Sequence, residues 1–196
     1  MSKVWQETVL NSNSAPLFVV IDEDFIRQKS NEEHIRAQFP DIDNLIENII
    51  NCKEINDITP EMKNKTKQLF RILHHDYLET EKGMDKLIEK YDTNLLPRCP
   101  RVYCNGARCF PVGVERDGTI FPKMICPACR EVYNLPPPFD ILQNGESFGD
   151  RYIEKFFEKY KDKLPERVEE TPYEPRIFGF KVKQHKEPLE PEKLEK

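Results

Sequence analysis

The stretch that decides the fold reads CPRVYC at 99–104 and CPAC at 126–129, with 21 residues between the two cysteine pairs. Only here do residue identity and spacing together dictate a chemistry. The intervening run carries Asp117-Gly118 flanked by Val112, Val114, Ile120 and Ile125. An Asp-Gly step between apolar runs is a strong hairpin signal, and such a hairpin carries one cysteine pair back onto the other. That is the layout of a zinc ribbon. Soft thiolates suit Zn2+, and four of them fill its tetrahedral shell without leaving a position for substrate or activated water. The expectation is one structural zinc per chain on Cys99, Cys104, Cys126 and Cys129.

Competing chemistries fit less well. CPAC as a redox pair would sit between a strand and a helix, whereas Pro136-Pro137-Pro138 follows soon after it. Extracellular disulfides would call for a secretory leader, and none is read at the start of this sequence. Cys109 stands in the same spacing to Cys104 as Cys104 does to Cys99, so it competes with Cys99 as a ligand. Cys99 is preferred because Cys99-Pro100 repeats the step at Cys126-Pro127. Cys52 is read as a small buried apolar residue. Pro100, Val102 and Val132 flank the knuckles of a module with little interior, so they either cover the metal site or form an exposed patch for a partner.

Outward from the ribbon, the N-terminal side reads as helical. Asp22 stands in an N-cap position after the apolar run 17–21, and Ser30 and Glu33 have capping-box spacing. Ile42, Leu45, Ile46, Ile49 and Ile50 form one amphipathic stripe. Thr59-Pro60 caps a longer helix striped by Met62, Thr66, Leu69, Phe70, Leu73 and Tyr77, which Gly83 is expected to break before a further short helix at Met84–Tyr91. His74 and His75 lack ligands at metal spacing and are read as core or surface histidines.

Beyond the ribbon, Phe148–Tyr160 is aromatic-rich and reads as a short helix packing on the body. Ile177, Phe178, Phe180 and Val182 read as a short apolar strand in which Phe178 and Phe180 share a side. The fold class is α+β: an all-helical N-terminal domain, a four-cysteine ribbon of small antiparallel β structure, and an extended C-terminal tail. The expected divisions are a loose N-terminus at 1–16, helices at 17–97, ribbon at 98–135, loop and short helix at 136–160, connector and docking tail at 161–183, and a disordered tail at 184–196.

The composition narrows the function. The chain has 196 residues, 38% hydrophobic and 33% charged, with a net charge of −5, and no apolar run approaches the ~18 residues of a membrane span. A cytoplasmic and nuclear location is expected. Residues 1–60 carry 11 acids against 5 bases, and residues 99–135 carry 5 bases against 3 acids, a weak basis for nucleic-acid binding.

Taken in order, FVVIDEDFIRQKSN (18–31), LFRILHHDYLETEKGMDKLIEKY (69–91), the CPRVYC to CPAC series with Phe110-Pro111-Val112-Gly113 and Val132-Tyr133, Ser147-Phe148-Gly149, and PRIFGFKV (175–182) closely resemble the regulatory beta subunits of casein kinase II, a serine/threonine protein kinase. The resemblance covers residues 17–183. It implies a homodimer packed through the ribbons at Pro100, Val102 and Val132. It also implies a tail, centred on Phe178, Gly179 and Phe180, that docks hairpin-like on a catalytic subunit, giving two regulatory plus two catalytic chains that act on protein substrates.

No catalytic residues are implied, and the sequence has no phosphate-cradling glycine loop or kinase catalytic-loop signature. The expected role is therefore regulatory and not enzymatic. The alternative is a zinc-ribbon nucleic-acid or transcription-type module. The sequence departs from the family at its start, where Ser2 is followed by Lys3 and Val4 in place of a serine-acidic site, and at Lys53–Lys65, where lysines interrupt the family's acidic loop. The ribbon loop is about one residue shorter than the family's. The tail has Phe178 for the family's tyrosine and Lys183 for a histidine, and it ends early in a Glu/Lys run.

Overall fold

The computed structural model describes residues 15–51, 59–168 and 175–182. The expectations for Cys52, the segments before 15 and after 182, and residues 53–58 of the interrupted acidic loop lie outside them. Helix α1 (Glu23–Lys29) starts after Asp22, as expected. The Asp22 carboxylate does not cap it; it accepts a hydrogen bond from the Tyr77 hydroxyl at 2.9 Å and an ion pair from Lys86. Lys86 also donates to the Val20 carbonyl at 2.8 Å. One carboxylate thus ties three segments together, and Lys86 and Tyr77 hold it below the usual carboxylate range.

The Ser30–Glu33 capping box does not form. Ser30 closes α1 as its C-cap, its buried hydroxyl has no hydrogen-bond partner among the described residues, and α2 (Glu33–Gln38) begins after Glu32. Local spacing loses here because the chain is still finishing one helix where the cap of the next was expected.

All five stripe residues of α3 (Ile42–Asn51) are buried. In α4 (Pro60–Leu78), Thr59 Oγ1 accepts from the Met62 amide at 3.3 Å and Pro60 opens the first turn. The helix ends at Leu78, before Gly83 is reached. Gly83 lies instead in the first turn of α5 (Glu81–Asp92), where its amide donates to Thr80 Oγ1 at 3.1 Å. A Cβ at Gly83 would sit 2.0 Å from the Tyr77 carbonyl oxygen, so this glycine permits close approach of two helices and breaks neither.

The ribbon is a three-stranded antiparallel sheet in the order β1 (Phe110–Arg116), β2 (Thr119–Ile125), β3 (Val132–Asn134). Its β1–β2 turn is Asp117-Gly118 with φ of 52° and 74°, the two positive values that a two-residue hairpin matched to strand twist requires. The loop after the ribbon folds back on β1: the Gly113 amide donates to Gly149 O at 2.9 Å. Helix α6 (Tyr152–Lys159) then buries Tyr152, Ile153, Phe156 and Phe157. Phe110 stacks on Tyr91 of α5 and meets Phe156 of α6 edge-on, so helices and ribbon share one continuous core.

His74 joins the same parts from inside α4. Its Nε2 accepts from the Val19 amide at 3.0 Å and its Nδ1 donates to the Ser147 carbonyl at 2.6 Å. Its ring lies among Phe18, Phe70 and Phe148. The reading of His74 as a core histidine holds, and burial lowers its pKa to about 4.

Candidate metal centre and contact surfaces

Cys99 and Cys104 sit on a tight knuckle. The Cys99 amide donates to Ala107 O at 2.8 Å, the Ala107 amide donates to Cys104 O at 2.9 Å, and Asn105 and Gly106 turn the chain with positive φ. The second knuckle is closed by Arg130 N donating to Cys126 O at 2.9 Å, with Arg130 also at positive φ. The β1–β2 hairpin brings the knuckles together. The sulfurs of Cys99, Cys104, Cys126 and Cys129 all lie within 4.8 Å of one another, and all four residues are buried.

Cys99 and Cys129 Sγ are 3.9 Å apart, against an edge of ~3.8 Å for a tetrahedron of ~2.3 Å metal–sulfur bonds. The donor set therefore fits a single thiophilic divalent ion.

Cys109 is outside this set but touches it. Its Sγ points to the Ala107 carbonyl at 3.9 Å, and the neighbouring Cys126 thiolate, followed by burial, drives the Cys109 pKa up. In turn the Cys109 thiol, with the Cys129 and Ala128 amides and Cys99, brings Cys126 down to about 4 against the opposing effect of burial. Burial pushes Cys99 and Cys104 up, the ordinary state of thiols awaiting a cation. The Tyr133 hydroxyl lies 3.3 Å from Cys129 Sγ, a second outer partner that orients a ligand. Sequence spacing alone suggested Cys109 as a rival ligand and gave Tyr133 no role beyond family likeness. Its position four residues after Cys129 was the available signal.

Pro100, Val102 and Val132 are exposed, Val102 at 87% and Val132 at 45%, and Tyr103 beside them is exposed as well. Of the two readings offered by the sequence, the exposed patch is the one observed.

The tail forms a hairpin, the shape the family resemblance implies, and not the single strand read from its apolar run. Strand β4 (Arg176–Ile177) pairs with β5 (Phe180–Lys181), and Phe178-Gly179 makes the turn with φ of 50° and 85°. Phe178 therefore stands at the tip and Phe180 on the returning strand; they are not alternate residues of one face. The rings are 97% and 79% exposed. Among the described residues no helix is long and apolar enough to cross a membrane.

Fold and site together define an α+β protein whose helices and four-cysteine ribbon share a core and whose apolar ribbon edge and tail hairpin are left uncovered. The family described as Casein kinase II regulatory subunit matches residues 4–181, and the chain belongs to that family. It is 30% identical over 187 residues to the putative casein kinase II subunit beta-4 of Arabidopsis thaliana, covering 91% of this chain and 65% of that protein. It is 31% identical to subunit beta-3 of the same plant, of which it covers 67%. It is 28% identical to the casein kinase II subunit beta of Schizosaccharomyces pombe, of which it covers 80%.

Proposed function

We propose that this chain is a non-catalytic subunit that binds and stabilises a casein kinase II catalytic chain and helps choose its protein substrates, in the cytoplasm and nucleus. Zinc is the ion proposed for Cys99, Cys104, Cys126 and Cys129. Four thiolates saturate Zn2+, so the metal organises the ribbon and leaves no open position for chemistry. The homodimer is proposed through Pro100, Val102, Val132 and the neighbouring Tyr103, because a two-fold axis lets one apolar patch bury its own copy.

The observation that carries the kinase contact is the tail hairpin. Exposing two phenylalanines, Phe178 nearly completely, on so short a β-unit is unfavourable in a free protein, and a hairpin tip with a glycine beside it can enter a groove closely. Two hairpins per dimer lead to two regulatory plus two catalytic chains. The weakly basic ribbon, with 5 bases against 3 acids at 99–135, counts against a nucleic-acid module. Expressing the tagged chain in its host cell and purifying it tests the whole reading. A kinase catalytic subunit should copurify in equal amount with one zinc per chain; recovery of the zinc-loaded chain without a kinase would overturn it.

A further inference from the structure

The solvent side of α4 has a feature that neither dimer nor hairpin uses. Lys63, Lys67, Arg71 and His75 recur every fourth residue, and side chains at that spacing stack along one helix face ~6 Å apart. They crowd one another: partial burial, then the charges of Lys63 and Arg71, push the Lys67 amine pKa down. Among the described residues neither Lys63 nor Lys67 has an anionic partner, whereas Lys65 is paired with Glu61 at 3.0 Å. Arg71 reaches Glu146 only at 3.7 Å. The ridge runs into a cleft of about 560 Å3, lined by Arg71 and His75 together with Gln38, Gln68, Asn144 and Glu146. Among the described residues the side-chain amides of Gln38 and Gln68 have no hydrogen-bond partner.

We infer that this ridge and the cleft at its end form a docking site for an extended acidic polypeptide segment. An extended chain presents alternate side chains on one side every ~6.6–6.8 Å, close to the step of the ridge, so carboxylates on every second residue can meet Lys63, Lys67 and Arg71 in turn. The Gln38 and Gln68 amides each offer donors and an acceptor, which suits a peptide backbone carrying both kinds of group. A nucleic-acid strand is a poorer match: its phosphates supply only acceptors, and its continuous charge would run onto Glu146, Asp76 and Glu79 in a protein of net charge −5.

The test is fluorescence anisotropy of a labelled alternating Glu-Ala peptide titrated with the full chain, without kinase, so that it stands apart from the proposed function. The peptide should bind at low ionic strength, more weakly as salt is added. Lys63→Glu/Lys67→Glu should weaken binding at least ~tenfold, while Arg116→Glu on the ribbon turn should leave it within ~twofold. If the reversal variant melts early, Lys63→Gln/Lys67→Gln should still weaken binding, by ~threefold or more. No binding by the unaltered protein, an equal loss with Arg116→Glu, or displacement of the peptide by oligothymidylate at lower concentration than by unlabelled peptide would each overturn the inference.

Discussion

Removing the His74 ring should abolish one component of the pH dependence of stability, and its size follows from the surroundings of that ring. The imidazole is fully buried among Phe18, Phe70 and Phe148, is neutral, and has a pKa near 4 in the fold against 6.5 for the free group. The pKa is depressed for a basic group, so below 6.5 the unfolded chain takes up a proton that the fold refuses. Stability is then lost as pH falls, with a slope of ~1.4 kcal/mol per unit, until the folded pKa is reached. Between pH 7 and 4.5 this amounts to about 2.5 kcal/mol, a large part of the 5–15 kcal/mol typical of a domain.

His75 works in the opposite sense. Asp76 raises its pKa, so its contribution is present below the unfolded value and fades as pH rises through the folded one. Acid also competes with any metal on the thiolates. Both effects are shared by a His74→Gln variant, so urea unfolding of the two proteins at one protomer concentration isolates His74. The variant should be about 2 kcal/mol or more less stable at pH 7, because the Val19 amide and Ser147 carbonyl lose well-placed partners. The gap should close by pH 4.5. A gap that stays constant would refute the burial argument.

Cys129→Ser should lose metal and ribbon structure together, while Cys109→Ser should keep its metal; zinc release from the latter, measured with a chromogenic chelator, would move Cys109 into the ligand set. Val102→Glu/Val132→Glu should sediment as a zinc-loaded monomer, and a persisting dimer would place the interface elsewhere. Gly83→Ala should be destabilised by about 3 kcal/mol or more in urea unfolding, because the backbone it meets, Tyr77 O at 2.0 Å, cannot move aside as a side chain could.

Features that depend on nearest neighbours along the chain were legible. The Cys99–Cys129 spacing, the Asp117-Gly118 turn, the stripe Ile42–Ile50 and the Thr59-Pro60 start each stand where local rules put them. Misread features were decided by contacts distant in sequence. Gly83 looks like a helix breaker until the Tyr77 carbonyl is seen against it. The Asp22 side chain is drawn from its capping role by Tyr77 and Lys86, 55 and 64 residues away. The apolar run Ile177, Phe178, Phe180 and Val182 reads as a strand, and a bulky residue rarely adopts positive φ; here the pairing of Arg176–Ile177 with Phe180–Lys181 puts Phe178 in the turn. Cys109 could be weighed only by spacing, and its place beside Cys126 depends on the folded knuckles.

Calorimetric titration of a casein kinase II catalytic subunit into the zinc-loaded chain, beside its Phe178→Ala/Phe180→Ala variant, bears most directly on the regulatory-subunit role. The unaltered chain should take up one catalytic subunit per protomer. The variant should fold with the same melting temperature, since both rings are largely exposed, and should bind at least ~30-fold more weakly, the loss of a hot spot worth about 2 kcal/mol. Absence of binding by the unaltered chain, or equal affinity in a well-folded variant, would contradict it.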